Sequence, residues 1–401
     1  MTIAAMVALF AVMACGEDRD EVIPDWKDFQ DQDGSQVPVI PPVSESGLYD
    51  FEKSHVEITA PSDMVLMYGG GHHRTPYRWS TDYVKDYVIY LDKDNKPHWL
   101  FDGFLFLEFM DAGQGGSGKT FITGYQYDGK WLPSASKVEW QMLADYYFYP
   151  QMGLDAVENA VAEAVKSLGV PKEKRKIVIG IPEPIVHLNS HQTSGGTSYW
   201  GEIDGKKLDF ASKNDRIAAV VWFIDRIREN FSKKGYKYID LSGFYWVAEK
   251  ATQTADIMPV IASYLNGMNY SFNWIPYFNA DGATNWEEYG FNYAYLQPNY
   301  FFNNSVPYSR LTSACKLAKT HGMDMEVEFD GNALASNAGN GQRLRDYMEV
   351  MKNEGIWAGN RLAYYQGSHA LRWLKYSSNS EDQTLYHDFC EWVTTRPVRE
   401  K

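Results

Sequence analysis

Four acids alternate with three apolar residues across positions 323–331: Asp324, Glu326, Glu328 and Asp330 are even-numbered, Met325, Val327 and Phe329 odd-numbered. Side chains of a strand point alternately to its two faces, so this segment would bury one apolar face and present a row of carboxylates on the other. Carboxyl groups are the acids, bases and nucleophiles of hydrolytic chemistry, and burying several of them is costly unless they are paired, bonded or opened to a cleft. Other acids end apolar runs elsewhere: Glu108 at the end of 103–109, Glu183 between Pro182 and Pro184, and Glu249 after Phe244-Tyr-Trp-Val-Ala. Tyr68, Trp246 and Tyr277 offer rings, Asn279, Gln297, Asn299 and Gln366 offer amides, and His72, His73 and Arg74 form a basic cluster suited to an acidic substituent. Such groups on one rim suit carbohydrate hydrolysis. One acid protonates the leaving oxygen, a second attacks the sugar or activates water, amides grip hydroxyls and rings stack on the sugar.

That convergence requires a scaffold bringing many strand ends to one rim. Apolar runs bounded by turn residues predict strands at 64–69, 103–109, 176–181, 238–248, 270–279, 291–297, 323–330 and 361–366. Helical periodicity predicts helices at 137–168, 211–234, 253–266, 309–321, 340–354 and 381–395, with Pro171, Gly322 and Gly355 near their ends. Eight strands alternating with helices predict a closed α/β fold, a (β/α)8 TIM-type barrel with loop insertions, over an open doubly wound sheet. No glycine-rich turn opens a helix after any of these strands, which argues against a dinucleotide-binding sheet. In a closed barrel the apolar face of 323–330 meets the helices and the acidic face points into the lumen. Reactive groups gather at the carboxyl ends of the strands.

The chain divides into residues 1–14, a segment 15–46 and a single barrel domain over 47–401. The first fourteen residues are uncharged and mostly apolar, too short to cross a bilayer but suited to a signal peptide. Ala14 followed by Cys15 resembles a bacterial lipobox, which implies lipidation of Cys15, membrane attachment through that lipid alone, and anchoring to the outer membrane at the surface of a Gram-negative cell. Residues 17–33 carry eight acids against Arg19 and Lys27, and Val37-Pro-Val-Ile-Pro-Pro follows, so 15–46 reads as a flexible tether. A net charge of −14 disfavours nucleic acid as a partner. Aromatic content of 15%, with 28 Tyr and 13 Trp, fits sugar platforms or simple core bulk. Gly113-Gln-Gly-Gly-Ser-Gly-Lys-Thr120 matches the P-loop pattern, but an aromatic, turn-rich segment follows where a helix must begin, so no nucleotide is expected. Cys315 and Cys390 read as buried thiols or a single disulfide, and neither metal nor cofactor is expected.

One acid ending the fourth strand and another ending the seventh resembles the large clan of retaining (β/α)8 glycoside hydrolases. The resemblance implies Glu249 as general acid/base and Glu328 as nucleophile, with Glu183, Glu326, Asp330 and Glu108 as alternative or supporting acids. The clan usually carries Asn just before the strand-four acid, and this chain has Ala248 there. The whole chain also looks like a family of secreted bacterial lipoproteins known only as a domain of unknown function. The expectation is a cell-surface glycoside hydrolase acting on a polysaccharide or host glycan. The alternative is a glycan-binding surface lipoprotein without catalysis.

Overall fold

The computed structural model describes residues 58–68, 79–111, 118–367 and 369–400. Eight parallel strands close into a barrel: β1 (Asp63–Tyr68), β2 (Gly103–Leu107), β3 (Arg175–Ile181), β4 (Ile239–Trp246), β5 (Ser271–Trp274), β6 (Tyr293–Leu296), β7 (Asp324–Glu328) and β8 (Leu362–Tyr365). Each strand pairs with its neighbours in sequence, and β8 pairs with β1 through Asp63 opposite Leu362, which closes the ring. The eight apolar runs singled out above are these eight strands, trimmed by a few residues at their ends. The signal peptide and tether expected over 1–46, including Cys15, lie outside the described residues, as do His72, His73 and Arg74.

Outside the ring lie α1 (Thr81–Val88), α2 (Lys137–Tyr146), α3 (Gly153–Leu168), α4 (Lys213–Lys234), α5 (Met258–Asn266), α6 (Ser309–Thr320), α7 (Gly341–Asn353), α8 (Ile356–Gly359), α9 (Ala370–Tyr376) and α10 (Ser380–Thr394). The stretch 137–168, expected as one helix, is two. Gln151 and Gly153 have φ of 64° and 51°, left-handed values that no continuous helix contains. α1 and α9 escaped the sequence reading because each spans barely two turns, too few for a helical period to be separated from a strand. Cys315 on α6 and Cys390 on α10 are both buried free thiols.

The P-loop match fails on geometry. Lys119–Thr120 is a short strand paired antiparallel with Met110–Asp111, and Lys119 Nζ donates to Glu139 Oε1 on α2 at 2.8 Å. Among the described residues no helix begins at Lys119 to receive a phosphate.

Alternation sorts the apolar residues into two layers. Met325, Val327 and Phe329 of the β7 segment pack outward with Phe244, Trp246, Phe272 and Trp274 against the helices. Met64, Leu66, Tyr68, Leu105, Leu107, Val178, Tyr245, Tyr295 and Ala363 fill the lumen. At the amino end of the barrel Arg396 bonds Asp63 and Tyr364, with both members of the ion pair fully buried.

A bulge in β4 matters most for the site. Leu241 pairs with Ile177 and Gly243 with the next residue, Val178, so Ser242 is an extra residue in the ladder. Ile239 and Leu241 face the helices before it; after it Phe244, Trp246 and Ala248 do. The phase reversal turns Gly243, Tyr245, Val247 and Glu249 toward the lumen. Only glycine fits at 243, because a Cβ there would lie 1.9 Å from Ser271 Oγ and 2.5 Å from Ser271 O.

Candidate functional site

The four alternating acids separate along the barrel axis. Asp324, at the amino end, accepts from Arg361 N at 3.0 Å and Asn360 Nδ2 at 3.3 Å, and so ties the start of β8 to β7. Glu326 and Glu328 point into the lumen and are 1% and 2% exposed. Asp330 lies past the strand, where its carboxylate accepts from Asn332 N at 2.8 Å and caps the short turn Gly331–Ala333.

Glu328 is held on one oxygen. Oε2 accepts from Tyr347 Oη on α7 at 2.7 Å and from Asn299 N, just past β6, at 2.7 Å. Glu249, half-buried beyond β4, accepts on Oε1 from Gln297 Nε2 at 3.0 Å, and the same nitrogen donates to Ile275 O at 3.0 Å. One segment past β6 therefore anchors both acids, Glu249 through residue 297 and Glu328 through residue 299, positions about 7 Å apart along extended chain. Asn299 has φ of 52°, a left-handed turn that Asn tolerates and that aims its N–H at Glu328.

Burial, and then the charge of Glu249, push the carboxyl of Glu328 up to about 7, against the bonds from Tyr347 and Asn299 that favour its ionised form. Burial and the charges of Glu328 and Glu249 raise Glu326 well above the carboxylate range. The Tyr245 phenol in the lumen is likewise raised by burial and by Glu249 and Glu326. Tyr277 is raised by burial and by Glu249. Glu249, Glu326 and Glu328 thus act on one another and on two tyrosines of the same lumen.

Tyr68 is also in the lumen, edge-on to Phe109 and Tyr365 at 5.5 and 5.9 Å. Other candidates point elsewhere. Trp246 is fully buried in the outer layer against Phe272, because the bulge puts even-numbered residues of this stretch outside, so it cannot stack on a ligand in the lumen. Gln366 shares the outward phase of Leu362 and Tyr364, and its Oε1 accepts from Tyr87 Oη of α1 at 3.0 Å and Leu371 N of α9 at 3.4 Å; it joins helices and leaves the mouth. Glu108 continues the outward phase of Phe104 and Phe106, and its charge acts on Tyr147 at the end of α2. Glu183 accepts from Thr123 N at 2.6 Å and fastens the 118–135 excursion; burial raises its carboxyl, with Lys250 and Arg216 opposing. Asn279 is exposed at φ of 63°, where its type serves the turn after β5.

Two residues of the site were missed. Tyr245 carried a signal, since it shares the phase of Glu249 two pairs of positions on. Tyr347 carried none, because its hydroxyl reaches Glu328 from the next helix only after α7 packs on the barrel. Among the described residues no group of three or more His, Cys, Asp or Glu side chains is arranged to hold a metal ion, and no helix is long and apolar enough to cross a membrane.

Fold and site together define a closed (β/α)8 barrel with acids from its fourth and seventh strands in one lumen. The chain belongs to the family described as Domain of unknown function (DUF4855), whose model matches residues 63–391. No curated protein matches the sequence. Among solved structures, the chain is similar to two mutant forms of the tryptophan synthase alpha-subunit from the hyperthermophile Pyrococcus furiosus. Each is 8% identical with a TM-score of 0.36, and the alignments cover 83% of this chain and 98% or 97% of the other.

Proposed function

We propose that the protein is a glycoside hydrolase with Glu249 as general acid/base and Glu328 as nucleophile. The observation that carries this reading is the common anchor past β6, which holds a half-buried acid and a buried one near enough for the charge of one to act on the other. A half-buried Glu249, bonded by the uncharged Gln297 amide, can exchange protons with solvent and with a leaving oxygen. Glu328 is clasped on Oε2 by Tyr347 and Asn299, which fixes the orientation of its second oxygen for attack. In the first step, from the form with Glu328 ionised and the one proton on Glu249, Glu328 bonds to the anomeric carbon while the bond to the departing oxygen breaks and Glu249 gives that oxygen its proton. In the second, Glu249 takes a proton from water, the water oxygen bonds to the anomeric carbon and Glu328 leaves. Tyr68, Tyr245 and Tyr277 furnish rings and hydroxyls along the lumen. On this reading the substrate is a polysaccharide or host glycan, met at the surface of a Gram-negative outer membrane by a protein anchored through a lipid on Cys15.

The test is hydrolysis of a polysaccharide panel by the full chain and by Glu328→Gln and Glu249→Gln. Release of reducing sugar by the parent, and its loss in both folded variants, is the expected result; unchanged release in the Glu328 variant would exclude the assignment. Ala248 favours the second reading, a glycan-binding protein without catalysis. It lacks the amide the glycosidase clan uses beside its acid, and its carbonyl is taken by Trp274 Nε1 at 2.7 Å. Saturable polysaccharide binding by the parent without product would support that reading.

A further inference from the structure

Among the described residues no cation and no hydrogen-bond donor is seen to hold a charge on Glu326. It is 1% exposed, and Oε1 has no hydrogen-bond partner among the described residues. The titratable groups that act on it are Glu328 on its own strand, Glu249 and Tyr245 from β4, and Tyr347 from α7: two acids and two phenols, with no cation among the described residues. Its ladder partner on β8 is Ala363, which brings no polar side chain. A buried carboxylate without a donor or a cation is unstable against its neutral form, more so beside two other carboxyls. Glu328, one pleat nearer the mouth, differs in just this respect, because Tyr347 and Asn299 donate to it.

We propose that Glu326 is an uncharged acid that keeps its proton at neutral pH and donates it, as a hydrogen bond from the floor of the lumen, to a hydroxyl of the bound sugar. The inference rests on the glycosidase reading for the identity of the ligand, but the state of the proton does not. A neutral donor beneath Glu328 and Glu249 gives the reacting site a substrate class. A hydroxyl-bearing, uncharged ring satisfies the donor, whereas a carboxylate or sulfate at this depth meets two further acids and, among the described residues, no cation. A protonated carboxyl in an apolar setting is known to serve as a hydrogen-bond donor to a substrate oxygen, so the role is chemically ordinary.

Two measurements test it. The first needs no substrate: infrared difference spectra of the full chain at pH 7, parent minus Glu326→Gln, read the protonated carboxyl stretch. A band present in the parent and lost in the variant is expected; a carboxylate signal in its place overturns the proposal. Should Glu326→Gln fail to fold, Glu326→Asp replaces it, and the protonated band should shift without vanishing. The second compares variants on whichever polysaccharide the parent hydrolyses and Glu328→Gln does not. Glu326→Gln, which keeps an N–H donor, should retain turnover to within about 10-fold, and Glu326→Leu should lose about 100-fold or more. Equal turnover in the Leu variant overturns the donor role. If the parent hydrolyses nothing, the glycosidase reading fails while the infrared result still decides where the proton is.

Discussion

Glu328→Gln should make the protein more stable, and increasingly so as pH rises. In the folded chain burial and Glu249 move Glu328 from 4.5 up to about 7, and the Gln variant has no proton to lose. The sign follows from linkage. Between those two values the unfolded chain releases this proton and the folded chain retains it, so the parent loses stability as pH climbs through that window. Below about pH 4.5 both states are protonated and the variant gains little. Above about pH 7 the full difference is lost from the parent, about 3 kcal/mol at 1.36 kcal/mol per pH unit. Gln keeps an oxygen to accept from Asn299 N and Tyr347 Oη, so the clasp survives the change. Urea unfolding of both proteins at pH 5, 6, 7 and 8, with the slope of the transition required to match, measures the gap directly. A gap that stays constant with pH, or a variant weaker than the parent at pH 8, would refute the claim that a functional position is held here against stability.

Tyr347→Phe removes an O–H donor from Glu328, and a bond to a charged group contributes about 1.5–3 kcal/mol, so the carboxyl should rise by about one to two pH units. In the same unfolding series the loss of stability, which ends near pH 7 for this group in the parent, should continue to higher pH; an unchanged upper limit argues against the bond. Trp246→Ala should destabilise by about 3–5 kcal/mol through the cavity left in the outer layer, with polysaccharide binding unaffected once folded. Weakened binding by a folded variant would show that this ring does reach the ligand. Gly243→Ala should cost about 1–3 kcal/mol, since its methyl group meets Ser271, including its backbone oxygen. Thermal unfolding at the parent's temperature would mean that the approach of Ser271 leaves room for a methyl group.

Much of the fold was legible because its signals are local. An apolar run of strand length needs only neighbouring residues, and eight such runs recur, most of them with a helix behind. The alternation at 323–330 even showed which face of β7 carries the acids. The phase of β4 was harder. Ile239, Leu241, Phe244 and Trp246 are all apolar, and a one-residue bulge between them leaves no mark that a run of large side chains can show. The sequence therefore offers Trp246 as a ligand platform, whereas the barrel turns Tyr245 inward in its place. The outward turn of Gln366 is hidden for a related reason, whereas Glu108 shares a legible phase with Phe104 and Phe106. A polar residue just past a strand looks the same in sequence whether it turns into the lumen or toward a helix.

The amino-acid sequence by itself determined the alternation of strands and helices, the separation of polar and apolar faces on β7, and the presence of acids at strand ends. These follow from periodicities of two and 3.6 residues, which the backbone imposes on any chain. The tertiary structure alone decided which acids meet. Glu249 and Glu328 are 79 positions apart, and they share one anchor only because ring closure brings β4, β6 and β7 around one lumen. Tyr347 completes Glu328 only because α7 packs against β7, and the same closure leaves Glu326 Oε1 buried with no donor among the described residues. Burial and proximity, which set the chemistry of a carboxyl, are properties of the closed barrel and of no single segment.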